Sequence, residues 1–281
     1  MNDLIATVVK LELLNNGKAI SRGTGFFYAI PIESFYNSTT KICLPCIITT
    51  KHFLDNPDFT GYKITIQSVN RDNTYSSISV EYNLNDIEYV VHEHVDLALL
   101  CLKNVDLKKD FGYLRPNSLR YMTEDKIIMH PFLSSENLLF DNNTMRTPKI
   151  SSFKNDYADV IGFHYGDDKY SIEEPINVMG NFVMTAFRNI FVIQAPLSKG
   201  SSGSPIFTYT VDGTPLLVGI IIENCSINDN IIHGLNYAVS SQNIFFLEQS
   251  IVSKLGNNEL KRRKGMGGRF GYSGNLIQKY I

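Results

Sequence analysis

The stretch that decides the fold is Leu197 to Phe207, which reads L-S-K-G-S-S-G-S-P-I-F. It places four serines, two glycines and one proline between the apolar run 190–195 and a second run that begins at Ile206. Glycine permits positive φ angles, and small side chains let a ligand approach the main chain. The stretch therefore predicts a tight loop with a functional purpose, in which Ser202 is a candidate nucleophile.

Composition restricts the class of protein. The chain has 281 residues, is 43% hydrophobic and has a net charge of −2, so it can bury a core and is not disordered. This charge favours neither a nucleic-acid nor a membrane partner. No apolar run reaches the roughly 18 residues of a membrane span, and the N-terminus lacks the basic segment of a secretory signal.

The cysteines agree with a reducing compartment. Four of them, at positions 43, 46, 101 and 225, are too few for a disulfide framework in a chain of this length. With no export signal expected, we predict reduced thiols and a cytoplasmic location.

Short β-type segments separated by turn residues dominate the sequence, and they fall into two halves. Asn15-Asn16-Gly17 predicts a hairpin turn near the start. We predict an all-β fold with a first domain at 1–110, a second at 111–255 ending in an amphipathic helix over 240–255, and a basic, glycine-rich, flexible tail at 256–281. The predicted strands are 4–14, 19–30, 44–50, 62–69, 77–82, 87–92 and 97–102 in the first half, and 126–130, 147–153, 159–165, 190–195, 205–210, 216–222 and 234–239 in the second. The polar stretches 133–145 and 166–181 are predicted to be loops.

A serine hydroxyl needs a base to take its proton and a third group to orient that base. His52 follows an apolar strand that ends in Thr49-Thr50-Lys51, and Asp96 stands at the head of the apolar run 97–100. A carboxylate at such a position is costly to bury without a partner. The three candidates occur in the order His52, Asp96, Ser202, at separations of 44 and 106 residues.

The residues around the three candidates resemble known motifs of the trypsin-like (chymotrypsin-fold) serine proteases. In motif style the chain is most similar to the bacterial HtrA/Deg-type protease domain, although the 26 residues from Gly256 cannot hold that group's PDZ domain. The similarity covers roughly residues 4 to 250. The matching segments are Gly23-Thr24-Gly25-Phe26-Phe27, Ile48-Thr49-Thr50-Lys51-His52, Val95-Asp96-Leu97-Ala98-Leu99-Leu100, Gly200-Ser201-Ser202-Gly203-Ser204-Pro205, Gly219–Glu223 and Gly234–Val239.

This resemblance implies two six-stranded antiparallel β-barrels with the site between them. It implies a serine endopeptidase in which Ser202 attacks a peptide carbonyl, His52 acts as base and then as acid, and Asp96 orients His52. The backbone N–H groups of Gly200 and Ser202 would form the oxyanion hole. The partner is a protein or peptide substrate, in a regulatory or defence role inside the cell.

Departures from the family pattern matter for activation and specificity. Ser201 stands where digestive members carry the aspartate that pairs with a new N-terminus, so activation by that ion pair is not expected. Ser204 stands where many members have glycine. The family's main specificity position is Pro196, and Gly219, Ile220 and Ile221 are predicted to line the substrate pocket, which favours a small or apolar residue before the cleaved bond.

Other readings of the same residues remain open. A protease fold that is catalytically latent or inactive could serve as a binding module. Cys43-x-x-Cys46 and His92-Glu93-His94 could bind a metal, but the first lacks a second ligand pair, and the second is expected to be a solvated strand end. We expect neither a metal nor a cofactor.

Overall fold

The computed structural model of the chain describes residues 2–5, 7–31, 43–69, 75–105, 133–134, 157–164, 174–185, 190–209, 215–227 and 230–265. Two helices lie at the ends of this part: α1 is Asn2–Ile5 and α2 is Ile244–Gly265. Fourteen strands lie between them. They are β1 Val8–Asn15, β2 Lys18–Pro31, β3 Cys43–Thr49, β4 Gly61–Val69, β5 Tyr75–Asn83, β6 Glu88–Val91, β7 Ala98–Cys101, β8 Leu133–Ser134, β9 Tyr157–Gly162, β10 Ile176–Thr185, β11 Ile190–Gln194, β12 Pro205–Tyr209, β13 Pro215–Ile227 and β14 Asn230–Ser240.

The first seven strands form one antiparallel sheet in the order β5-β4-β1-β2-β3-β7-β6, and the short strand β8 pairs in parallel with β2. The β1–β2 hairpin turns at Asn16 and Gly17, which have φ angles of 48° and 77°. Positive φ at both central residues is what a tight hairpin turn demands and what Asn-Gly supplies. The predicted hairpin is therefore confirmed.

The second half forms a closed barrel of six strands in the order β10-β11-β14-β13-β12-β9. The predicted all-β class, with a barrel in the second half and a C-terminal helix, is confirmed. The first half differs in detail from the predicted six strands, since its sheet has seven strands in one path and β8 beside it.

The central strands of the first sheet bury both faces, because alternate side chains point to opposite sides of a strand. On β2, Phe27 and Ala29 pack into the core enclosed by the first sheet. Their neighbours Phe26, Tyr28 and Ile30 pack into a second core shared with the closed barrel and α2. The barrel has its own interior core as well. The shared core fixes the two halves against each other.

Helix α2 closes the shared core. Ile244, Leu247 and Ile251 are fully buried there, and Ser240 caps the short turn before the helix by accepting a hydrogen bond from the Gln242 N–H. Inside the interface, the Tyr28 hydroxyl donates to the Glu248 carboxylate, and burial raises the pKa of Glu248. The helix runs to Gly265, so the first ten residues of the predicted flexible tail are helical instead. No helix in the described part of the chain is long and apolar enough to cross a membrane.

One predicted loop is wrong. Residues 176–181, assigned to a loop, belong to β10. Val178 and Phe182 pack against the barrel core, and Gly180 lies so close to Ile193 that a Cβ there would be 2.8 Å from its Cδ1. The asparagines on the other face of β10 made the alternation of inward and outward residues hard to recognise in the sequence. The short strand β8 likewise falls in the predicted loop 133–145.

Some predictions concern residues outside the described part. These are the strands at 126–130 and 147–153, the boundary between 110 and 111, and the tail beyond Gly265. The side chain of Cys43 also lies outside it.

Candidate active site

His52 lies where β3 has ended and the chain turns away from the sheet. It begins a short 3-10 turn, His52–Leu54, whose Phe53 and Leu54 side chains are buried. These two apolar residues anchor the turn in the core of the first sheet. The His52 side chain keeps 47% of its surface exposed. Burial of the two apolar residues that follow it therefore leaves the imidazole at the surface.

Asp96 lies in the tight connection between β6 and β7. His92 supports this connection, because its Nδ1 accepts hydrogen bonds from the N–H groups of His94 at 3.1 Å and Val95 at 3.2 Å. The His92 N–H in turn donates to the Leu97 carbonyl at 2.9 Å. Leu97 is fully buried, so the connection is fixed on both sides of Asp96.

Asp96 holds His52 at two points. One carboxylate oxygen, Oδ1, accepts the His52 backbone N–H at 2.8 Å, and the other, Oδ2, lies 2.5 Å from the ring Nδ1. Because an ionised carboxylate only accepts, Nδ1 must be the donor. This tautomer leaves Nε2 with a free lone pair that can take a proton.

The surroundings favour the protonated ring. The hydrogen bond to Asp96 raises the pKa of His52 above its ordinary value, against the lowering effect of burial. The negative charges of Asp96, Glu223 and Asp55 add to the rise. An imidazolium formed during a reaction would therefore be stabilised in place.

The serine loop, which we define as residues 197–205, is held between β2 and β13. The Thr24 N–H donates to the Ser202 carbonyl at 3.0 Å, and the Gly203 N–H donates to the Ile221 carbonyl at 2.8 Å. Gly203 has a φ of 91°, and a Cβ there would lie 1.9 Å from the Thr24 carbonyl oxygen. Glycine is thus required at 203 both for its backbone conformation and for close approach.

The N–H groups of Gly200 and Ser202 are the predicted oxyanion-hole donors. Within the described residues, neither N–H donates a hydrogen bond to the protein. In the same part of the chain, no hydrogen bond joins His52 to Ser202. The structure thus brings His52 and Asp96 into direct contact, and the loop of Ser202 docks on Thr24 of β2.

Neutral hydrogen bonds hold Ser201 and the residues before it in the serine loop. Ser201 is buried, and its hydroxyl donates to the Ser198 carbonyl at 2.7 Å. The Ser198 N–H donates at 3.4 Å to Nδ1 of the buried His164, whose pKa is lowered by burial. The loop is therefore tied within itself and to the end of β9, without a charged partner at position 201.

The residues predicted to line the substrate pocket, Gly219, Ile220 and Ile221, lie on β13. Ile220 and Ile221 are at most 1% exposed, with their side chains in the shared core and the barrel core. Gly219 is buried against Phe191, where a Cβ would lie 2.5 Å from the ring. The Ile220 and Ile221 side chains therefore face the cores, and the role of the main chain at 219–221 in binding a substrate stays a prediction. Pro196 is exposed, and its place in the specificity site also stays a prediction.

Sequence reasoning missed Thr24 and Glu223 as parts of the site. The described residues contain no group of three or more His, Cys, Asp or Glu side chains that could hold an ion. His92 uses Nδ1 for backbone hydrogen bonds. Cys46 and Cys101 are buried, free thiols on adjacent strands.

No family model and no curated protein matches the sequence. Among solved structures, the chain is similar to the catalytically active tobacco etch virus protease in complex with product, with 17% identity, a TM-score of 0.45, and coverage of 85% of this chain and 74% of that one. The catalytically inactive form of that protease in complex with substrate gives 15% identity, a TM-score of 0.46 and coverage of 85% and 79%. The serine endoprotease from Yersinia pestis gives 14% identity, a TM-score of 0.44 and coverage of 92% of this chain and 64% of that one.

Proposed function

We propose that the chain is a trypsin-like serine endopeptidase with Ser202 as nucleophile, His52 as general base and Asp96 as the group that orients His52. The observation that carries the proposal is the two-point contact of Asp96 with the His52 N–H and ring, at 2.8 and 2.5 Å. This contact fixes the tautomer in which Nε2 accepts a proton. It also raises the pKa of His52.

The proposed reaction uses each group in turn. Ser202 Oγ attacks the carbonyl carbon of a peptide bond as His52 Nε2 takes its proton, and the imidazolium then gives that proton to the leaving amine. Water, activated by His52, hydrolyses the acyl-enzyme and regenerates Ser202. Among the residues that the structure describes, the N–H groups of Gly200 and Ser202 donate to no acceptor, which supports their proposed role as donors to the oxyanion.

The proposed substrates are proteins or peptides, cut in a regulatory or defence role. A cytoplasmic location is supported by the free, buried thiols of Cys46, Cys101 and Cys225. The proposal includes no metal and no cofactor.

One observation favours a second candidate, a latent or inactive protease fold that acts by binding. Within the described residues, no hydrogen bond joins His52 to Ser202. Catalytic hydrogen bonds often form only when substrate binds, so the two candidates are separated by measuring turnover.

The experiment is cleavage of a diverse peptide library by the purified chain, followed by mass spectrometry. We expect Ser202→Ala to lower kcat/KM by about 10⁴-fold or more. Ser250→Ala is the matched control, because Ser250 is an exposed helix residue whose hydroxyl donates to the Phe246 carbonyl of its own helix. Equal cleavage by wild type and Ser202→Ala would refute the nucleophile, and a folded wild type that cleaves nothing would favour the binding module.

A further inference from the structure

Thr24 makes more contacts with the serine loop than the motif around it predicts. It lies in β2, in the first sheet, and is fully buried. Its hydroxyl accepts a hydrogen bond from the Phe163 N–H at 3.0 Å and donates one to the Gly200 carbonyl at 2.7 Å. The Phe163 N–H uses a lone pair of the hydroxyl oxygen, and the single hydroxyl proton goes to Gly200, because a carbonyl can only accept.

The backbone of Thr24 reaches the same loop. Its N–H donates to the Ser202 carbonyl at 3.0 Å, and its own carbonyl accepts from the Thr49 hydroxyl at 2.8 Å. Thr24 thus fixes the carbonyls on both sides of Ser201. The residue joins β2, the end of β9 and the serine loop at one point.

Gly200 is a residue of this loop whose conformation needs an external restraint. Its φ is 91°, and glycine adopts negative φ about as readily. A change in that angle would reorient the Gly200 N–H, which the proposed oxyanion hole uses. Within the described residues, the Thr24 hydroxyl is the only side chain that hydrogen-bonds to Gly200.

We propose that Thr24 is a positioning residue whose hydroxyl holds Gly200 in the conformation that the oxyanion hole requires. This rests on the proposed function, because the oxyanion hole has a purpose only if Ser202 attacks a carbonyl. The Thr24 hydroxyl supplies this restraint from within the fold. Digestive members of the family would instead use an ion pair at the position of Ser201.

The test compares Thr24→Val with Thr24→Ser. Valine keeps the branched shape of threonine and removes the hydroxyl, so we expect kcat to fall about 10- to 100-fold with KM nearly unchanged, somewhat less than the loss of an oxyanion donor itself. Serine keeps the hydroxyl and is expected to restore kcat to within a few-fold of wild type. The matched control is Thr65→Val, since Thr65 is also buried in the first sheet and its hydroxyl hydrogen-bonds to the Ser79 hydroxyl, away from the serine loop.

A second readout does not depend on turnover. Hydrogen exchange of the peptide that covers residues 197–205 should speed up in Thr24→Val and stay at the wild-type rate in Thr24→Ser and Thr65→Val. An inactive wild type would refute the proposed function. The exchange rate of this peptide would still test whether the Thr24 hydroxyl restrains the serine loop. Wild-type kcat and exchange in Thr24→Val would overturn the inference.

If Thr24→Val does not fold, Thr24→Ala replaces it with the same expectations. Failure of both to fold, with full activity in Thr24→Ser, would assign the hydroxyl to stability and would also overturn the inference.

Discussion

At the scale of single residues, the proposed chemistry depends on the charge state of His52. Asp96 stabilises the protonated ring through a hydrogen bond and through its charge, and the negative charges of Glu223 and Asp55 act in the same direction. Glu223 is exposed on β13 and follows the buried residues 219–222. A protonated His52 cannot act as a base, so these charges stabilise the intermediate but restrict the pH range of the free enzyme.

The pH profile of kcat/KM tests this balance. Because the pKa of His52 is raised, activity should fall with decreasing pH at a midpoint above the ordinary histidine value of about 6.5. Glu223→Gln removes one of the raising charges, so its acid limb should move to lower pH. Glu81→Gln, an exposed change on β5, is the control and should leave the midpoint in place. A Glu223→Gln midpoint at or above the wild-type value would contradict the account.

The sequence could indicate His52 and Asp96, because each stands at the end of an apolar strand where a polar side chain is out of place. It could not indicate what Thr24 does. The Thr24 hydroxyl bonds a carbonyl 176 residues away, and a partner at that distance leaves no local pattern. Glu223 was likewise hidden, since an exposed glutamate on a strand carries no signal until His52 is placed near it.

At the scale of elements, the serine loop and the end of β9 fit each other closely. Ser204 is fully buried, and its hydroxyl has no hydrogen-bond partner within the described residues. A Cβ on Gly162 would lie 1.8 Å from the Ser204 Oγ and 2.9 Å from its Cβ. The serine that departs from the family pattern at 204 therefore occupies space that a glycine at 162 leaves open.

A double-mutant cycle in urea tests this fit. Gly162→Ala alone should destabilise the fold by about 1–3 kcal/mol, the usual cost of overpacking. In the Ser204→Gly background the clash is absent, and the next nearest atom, Thr24 Oγ1, is at an acceptable 3.4 Å. We expect a coupling free energy of about 0.5–3 kcal/mol. Additive effects of the two substitutions would contradict the contact.

The β10 strand shows where pattern reading fails at this scale. Gly180 and the asparagines at 177 and 181 have low strand propensity, and they conceal the inward residues Val178 and Phe182. Tertiary packing decides the outcome, because β10 closes the barrel between β9 and β11.

At the scale of the whole molecule, one shared core joins the first sheet, the closed barrel and α2. Local alternation predicts that strands exist and that one face of each is buried. It does not predict that β2 and β3 bury both faces, or that the first sheet follows the order β5-β4-β1-β2-β3-β7-β6. The all-β class was readable from the sequence, whereas the strand order depends on contacts between distant segments.

The shared core also places the proposed catalytic groups. His52 and Asp96 come from the first sheet, and the loop of Ser202 comes from the closed barrel and docks on β2 through Thr24. Reactivity at Ser202 therefore depends on the correct packing of the two halves, and not on the serine loop alone.

The most direct test of the central claim is labelling of the folded chain with a fluorophosphonate, followed by peptide mapping of the modified residue. We expect stoichiometric labelling of Ser202 in the wild type, none in Ser202→Ala and strongly slowed labelling in His52→Ala. A folded wild type that stays unlabelled, or a label on any other residue, would contradict it.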